Sequence, residues 1–357
     1  MPRFSLLVAS LVCALSTPAL APPRFFFTGS GRLVLRHAHF KTTLDVRYRR
    51  SDGTYDAAAL EEIAHFFRSR EDGREAPISL RLIELLAYVQ ERSRPREMIL
   101  VSGYRSPEFN ADLRVKGGAA AQASLHTEAM AADMIVTGLD MRRVWLQLRE
   151  LRTGGVGYYR TGGFLHIDTG PPRFWEETTS RVSENLAAGN ARIFARTDFD
   201  RYPQLEGAVI GLHSVTAFPL LIRSQAVLSS ANGESDVALE PMMAGAESGD
   251  GCVVIDAPAE AYRFRVVSSA AVTSAAGERA RIVLSTCEPR VGRTPLRIET
   301  NPIEAGEEGG KRQSQKSKGK GKKSKGRGLG GMLWRPGDRV WSMCSVDPLR
   351  SFDLPSF

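Results

Sequence analysis

Six histidines occur in the 357-residue chain, and two of them stand with an aspartate in an arrangement that suits a metal. His126 precedes Asp133 by seven residues, and His166 follows Asp133 by 33. A hydrolytic zinc site takes three protein ligands from histidine and carboxylate and keeps a fourth position open for water. Asp133 lies inside Ala131-Ala132-Asp133-Met134-Ile135-Val136, where an unpaired carboxylate is expensive to bury. A metal relieves that cost, and so does an arginine partner. His166 is flanked by Phe164, Leu165 and Ile167, and on a strand its face is shared with Phe164 and Asp168. The residues alone leave two readings open: a metal site, or a satisfied core histidine beside a salt-bridged aspartate. His37, His39, His65 and His213 stand in no motif and read as surface or packing residues.

The elements that must position these groups follow from periodicity. Residues 32–49 alternate apolar and polar side chains and end in Ser51-Asp52-Gly53, the pattern of a β-hairpin. Asp56 is placed to cap a helix whose face carries Leu60, Ile63, Ala64 and Phe67, and a second helix from Ser79 carries Leu82, Leu85, Leu86 and Val89. Residues 98–101 form a buried strand leading into Gly103-Tyr104-Arg105, and Ser106-Pro107-Glu108 is a helix start. A strand at 132–136, a helix capped by Asp140, and strands at 156–159 and 164–168 complete an α+β domain, a short antiparallel sheet flanked by helices, over 32–176. Between 190 and 300 the runs become short and β-rich, separated by Gly, Asn, Asp and Ser, which predicts a β-sandwich or β-barrel accessory domain.

Charge and cysteine set the surroundings. The net charge is +8, but seven Lys and two Arg fall between Lys311 and Arg327 without an acid, and removing those nine leaves 39 basic against 40 acidic residues. The body is neutral, which argues against a folded basic face that grips nucleic acid. The 304–331 tail, rich in Gly, Ser and Lys, cannot bury a core and is expected to be disordered, with 332–357 as a separate C-terminal segment. Such a tail suits anionic envelope polymers or a membrane surface, or serves as a solubilising linker. Residues 1–21 carry Arg3, an apolar run over 4–16 and Ala19-Leu20-Ala21, which predicts a signal peptide and export to the periplasm or cell envelope. Pro22 disfavours cleavage there. In an exported chain Cys252 and Cys287 are the expected disulfide, because both close apolar β-like runs, and Cys344 is left odd.

The ordered series Ser102-Gly103-Tyr104-Arg105-Ser106-Pro107, Ser124-Leu125-His126-Thr127, Ala131-Ala132-Asp133, Gly154-Gly155-Val156-Gly157-Tyr158-Tyr159 and Phe164-Leu165-His166-Ile167-Asp168-Thr169-Gly170 resembles the YcbK-like murein endopeptidases. These belong to the zinc D-Ala-D-Ala metallopeptidase group, which shares its fold with lysostaphin and the hedgehog signalling domain. The resemblance covers about 32–175 and leaves out the β-rich region and the tail. It implies that His126, Asp133 and His166 bind a single zinc ion. It also implies that Arg105 binds a substrate carboxylate or steadies an oxyanion, with a structural salt bridge as the alternative. Ser124 and Tyr104 are implied as substrate contacts, with a plain turn role as the alternative for Ser124.

Two departures qualify the pattern. Ala129 stands where the family usually has glycine three residues after its first histidine, so the loop must shift if that backbone needs positive φ. Gly163 stands where many of the wider group carry a catalytic Glu or Asp, so the general base is expected elsewhere. Asp168 is the candidate, with orientation of a ligand histidine as its alternative role, and Glu128 is a weaker one. The expected function is an exported zinc endopeptidase that cuts peptide cross-links between peptidoglycan stem peptides. The alternatives are a D,D-carboxypeptidase and a non-catalytic wall-binding protein that keeps the fold.

Overall fold

Alternation of apolar and polar residues makes a hairpin of β1 (Arg32–His37) and β2 (Thr43–Arg47), whose Leu33, Leu35, Leu44 and Val46 are all buried. The computed structural model describes residues 21–116, 124–180, 193–214, 220–242, 247–248, 251–255, 262–269, 278–287 and 296–306. The described residues form one compact unit. The predicted signal segment, nearly all of the basic tail, the C-terminal segment and Cys344 lie outside the described residues.

The capping signals act as the sequence suggests. The Asp56 carboxylate accepts from the Ala59 N–H and starts α1 (Ala57–Phe66), and α2 (Leu80–Ser93) buries Leu82, Leu85, Leu86 and Val89. After β3 (Glu97–Ser102), the Ser106 hydroxyl accepts from the Phe109 N–H at 3.1 Å to open α3 (Pro107–Val115). Then follow β4 (Ala131–Thr137), α4 (Met141–Leu151, capped by Asp140), β5 (Gly155–Tyr159), β6 (Phe164–Asp168) and β7 (Arg173–Glu176).

These seven strands form one sheet in the order β2-β1-β3-β4-β6-β5-β7. It is wider than the short antiparallel sheet expected, and β1/β3 and β5/β7 pair parallel. The extra breadth comes from the hairpin joining at one edge and from β7, four residues long, at the other. Ala132, Met134, Val136, Leu165, Ile167 and Val156 belong to one apolar core with Ile63, Leu86 and Leu148 of the helices. Strict alternation therefore sends Asp133, Gly157, His166 and Asp168 to the opposite face.

The β-rich region comprises β8 (Ile193–Thr197), β9 (Arg201–Tyr202), β10 (Val209–Ser214), β11 (Leu220–Arg223), β12 (Gln225–Ser230), β13 (Gly233–Pro241), β14 (Glu247–Ser248), β15 (Cys252–Ile255), β16 (Tyr262–Ser269), β17 (Arg281–Ser285), β18 (Arg297–Glu299) and β19 (Glu304–Ala305). A seven-stranded sheet, β18-β17-β12-β13-β16-β10-β8, and a three-stranded one, β11-β15-β14, share a second apolar core that includes Ile222, Val253, Phe264 and Ile282. Cys252 and Cys287 are joined as a disulfide.

Candidate metal centre

The first two donors are brought together by strand register. β4 and β6 pair antiparallel with Asp133 opposite His166, so the two side chains stand as neighbours on the face away from the helices. The third, His126, comes from the turn that leads into β4. That turn is closed by Thr127 N to Ser124 O at 3.0 Å, Ala129 N to His126 O at 3.3 Å and Met130 N to Leu125 O at 2.9 Å. Ala129 sits at φ +53°, so an alanine here holds the left-handed backbone that a glycine would adopt freely. The His126 carbonyl also accepts from the Arg105 N–H at 3.1 Å.

Three acceptor atoms converge. His126 Nε2 lies 3.3 Å from His166 Nδ1 and 3.3 Å from Asp133 Oδ1, and His166 Nδ1 lies 3.0 Å from Asp133 Oδ1. The protons of both rings are committed on their far sides. His126 Nδ1 donates to the Gly103 carbonyl at 2.7 Å, and His166 Nε2 donates to the Asp168 carboxylate at 3.0 Å. A carbonyl can only accept, so His126 Nε2 carries a lone pair, and a neutral His166 carries its own on Nδ1. Two lone pairs and a carboxylate oxygen thus face one another in a buried site, an arrangement that requires a positive charge between them. Donors of a tetrahedral ion at about 2.0–2.1 Å are about 3.3 Å apart, close to the three separations here. The residues fit a divalent metal held by two imidazoles and a carboxylate, the set His126, Asp133 and His166.

Without an ion a proton meets the same need. Burial pulls the His166 pKa down, but hydrogen bonds to Asp133 and Asp168 outweigh it and leave the pKa above its ordinary value. Burial lowers the His126 pKa, and the nearby Arg105 charge lowers it further. For Asp133 burial acts upward, yet His126, His166 and Arg105 together hold it well below the carboxylate range.

The other predicted residues fall into distinct places. Arg105 is buried, with Nη2 donating to Asp133 Oδ2 at 2.5 Å and Nε to Ser102 Oγ at 2.8 Å. It thus makes the salt bridge that was the alternative to a substrate contact, and it occupies the one Asp133 oxygen that does not face the histidines. The Ser124 hydroxyl accepts from the His126 N–H at 3.4 Å and its carbonyl accepts from Thr127 Oγ1 at 2.6 Å, the contacts of a turn residue. Tyr104 packs against the core, and the charges that act on its hydroxyl are those of Asp72, Arg74 and Glu108 rather than of the three donors.

Asp168 is completely buried, and both of its oxygens are spoken for. Oδ1 accepts from the N–H groups of Gly155 at 2.9 Å and Gly170 at 2.8 Å, while Oδ2 accepts from Arg173 Nη2 at 2.7 Å and from His166. Burial raises its pKa, but His166 and Arg173 overcome this and hold it far below the usual range. A carboxylate so saturated has little basicity to offer, and its geometry suits the orienting role. Glu128 is bonded through Oε2 to His213 Nδ1 at 2.5 Å. His213 is therefore not a plain surface or packing residue: it reaches the metal turn from a strand 85 residues away in sequence.

Trp175 and Arg173 were not foreseen. Gly157 pairs with His166 on one side and with Trp175 on the other, so Asp133, His166, Gly157 and Trp175 form one rung across β4, β6, β5 and β7. The indole lies over Gly157 and reaches His166, with ring centroids 5.3 Å apart. The signal for it was the glycine at an alternating position in Gly155-Val156-Gly157, which marks a side chain crossing from a neighbouring strand.

Comparison with known proteins places the stretch that carries the three donors within one family. The family model described as peptidoglycan L,D-endopeptidase MepK matches residues 28–175. The peptidoglycan L,D-endopeptidase MepK of Escherichia coli K12 is 32% identical over 166 residues, 45% of this chain and 91% of that protein, and the Shigella flexneri protein of the same name gives the same figures. The probable peptidoglycan L,D-endopeptidase MepK of Haemophilus influenzae is 29% identical over 174 residues, 48% of this chain and 88% of the relative. No solved structure matches the chain.

Proposed function

Because this chain belongs to the family of the peptidoglycan L,D-endopeptidase MepK, we propose that it is an exported, zinc-dependent endopeptidase that hydrolyses peptide cross-links between peptidoglycan stem peptides. The observation that carries the zinc reading is the convergence of His126 Nε2, His166 Nδ1 and Asp133 Oδ1, with the ring protons directed away to Gly103 and Asp168. Zinc bound there supplies Lewis acidity, bringing the pKa of a water toward neutrality and polarising the scissile carbonyl. The chain's own residues supply order. Asp168 fixes the tautomer and plane of His166, and Arg105 fixes Asp133 so that one oxygen alone faces the histidines. The Trp175 indole forms an apolar wall beside His166 against which a stem peptide can lie.

The nature of the substrate supports export, since peptidoglycan lies outside the cytoplasmic membrane, and the 1–21 segment has the composition for it. The nine positive charges of 311–327 would then hold the enzyme near anionic envelope polymers or lipid head groups, with strong salt dependence. Mass spectrometry of muropeptides before and after digestion of cross-linked sacculi by the zinc-loaded chain tests the activity and names the bond together. Release of monomers from L,D cross-links is expected, with loss of both zinc and activity in His126→Ala and Asp133→Ala. Unchanged zinc content in those two variants would sink the site assignment.

A further inference from the structure

The region matched by the family model ends at residue 175, yet one face of the β-rich region returns to the metal centre. β8 and β10 pair antiparallel with Phe194 opposite His213 and Arg196 opposite Gly211, so these four residues share a face. Ala195, Ile210 and Leu212 point the other way, into the second core. Phe194 packs against Leu125, Met130 and Ala131, the residues on either side of the His126 turn and the first of β4. Its ring lies nearly parallel to that of His213, with centroids 5.0 Å apart, and His213 Nδ1 donates to Glu128 within the turn at 2.5 Å. Arg196 donates to the Gly170 carbonyl, and the Gly170 N–H in turn holds Asp168. Gly211 keeps the face open, since a Cβ there would stand 3.3 Å from His213 Nε2.

This face therefore touches both supports of the metal site, the turn that carries His126 and the turn that fixes the partner of His166. The His126 turn needs such support. Ala129 next to Glu128 holds a left-handed backbone that side chains rarely adopt, and a turn free to relax would withdraw His126 from Asp133. We propose that the β8–β10 face is a positioning element of the metal centre, with His213 and Phe194 as positioning residues that lock the His126 turn through Glu128, Leu125 and Met130. The β-rich region thereby acts on catalysis from outside the matched peptidase region. This inference rests on the zinc reading given above.

The test uses the full chain and two readouts, zinc affinity by competition with a chromophoric chelator and the split between kcat and KM on cross-linked muropeptides. His213→Ala and Phe194→Ala are expected to weaken zinc binding about tenfold or more, as loss of outer support does at metal sites. kcat is expected to fall while KM changes little, because no substrate contact is lost. His213→Asn places an amide N–H near the position of Nδ1 and is expected to recover most of the affinity, which a general packing defect would not show. Glu128→Ala removes the same bond from the other side and is expected to match His213→Ala, so the test survives if Phe194→Ala fails to fold. Zinc affinity within twofold of wild type in both His213→Ala and Glu128→Ala overturns the proposal. A wild-type chain that binds no zinc overturns the metal reading and this one with it, whereas normal wild-type binding with unaffected variants overturns the brace alone.

Discussion

Asp168→Asn separates an orienting carboxylate from a proton acceptor. In the native site Oδ1 takes the N–H groups of Gly155 and Gly170 and a longer bond from Arg173 Nη1 at 3.4 Å, and Oδ2 takes His166 and Arg173 Nη2. The amide replaces one oxygen by NH2, and in either flip that NH2 meets a pair of N–H groups. Turned toward the glycines, it leaves two buried donors unpaired, at about 1–3 kcal/mol each. Turned toward Oδ2's partners it is less costly, because the Arg173 side chain is 44% exposed and can swing to water. His166 then bears the loss, losing the acceptor that fixes its tautomer. A penalty of about 1–3 kcal/mol on one ligand corresponds to a drop in zinc affinity of about 10- to 100-fold. The assay is chelator competition followed by kcat at saturating zinc, where activity should largely return. Had Asp168 served as the base, kcat would stay about 100- to 10,000-fold down with zinc saturating, and the affinity would be unchanged. That second pattern would refute the orienting role.

Two further perturbations probe the domain around the site. His37 is 2% exposed, and its Nδ1 accepts from the N–H groups of His39 at 3.1 Å and Phe40 at 3.3 Å. Burial, then the charges of His39, Arg68 and Lys41, press its pKa down to about 4. The unfolded chain therefore takes up this proton first, and stability falls as pH drops from about 6.5 to about 4, by about 3 kcal/mol in all. His37→Asn keeps an acceptor without a proton site, so its urea midpoint should change less between pH 7 and pH 4.5; a variant as acid-sensitive as wild type would contradict this. In Gly157→Ala the new Cβ would stand 2.5 Å from Trp175 Cε2 and 2.7 Å from its Nε1, so the rigid indole must swing off His166. A stability loss of about 1–3 kcal/mol and a lower kcat/KM are expected, and an unchanged urea midpoint with unchanged kcat/KM would show that the rung does not hold Trp175.

What could be read before the structure was what local chemistry determines. Asp56, Ser106 and Asp140 marked helix starts because a short polar side chain before an apolar stripe has one effective use, and each accepts the backbone bond expected of a cap. Residue type and spacing marked His126, Asp133 and His166 as one of two readings and the resemblance implied them as a set, while the disulfide was legible in the position of Cys252 and Cys287 at the ends of apolar runs. The roles of Arg105, Asp168 and Glu128 were not, because each depends on which partner the fold brings within bonding distance. Arg105 meets Asp133 across 28 residues, and Glu128 meets His213 across 85. Within the β-rich region the boundaries of single strands were less legible: Gly, Ser or Glu in Val209–Ser214, Gln225–Ser230 and Gly233–Pro241 weakens the strand signal, and pairing on both sides overrides those propensities.

The position of Gly163 bears on the proton acceptor. In the wider group that this chain resembles, a carboxylate three residues before the last ligand is common, and a glycine there suggests a simple loss of one side chain. The backbone argues for more than that. Gly163 closes the β5–β6 turn with its N–H donating to the Arg160 carbonyl at 3.3 Å and sits at φ +66°, where an L-residue is strained by about 1–2 kcal/mol. A glutamate placed there would have open space around its Cβ but would start from a backbone suited to glycine. Asp168 accepts donors on both oxygens and Glu128 is held by His213 through Oε2, so in this structure both carboxylates are engaged. Restoring Gly163→Glu is accordingly not expected to raise kcat.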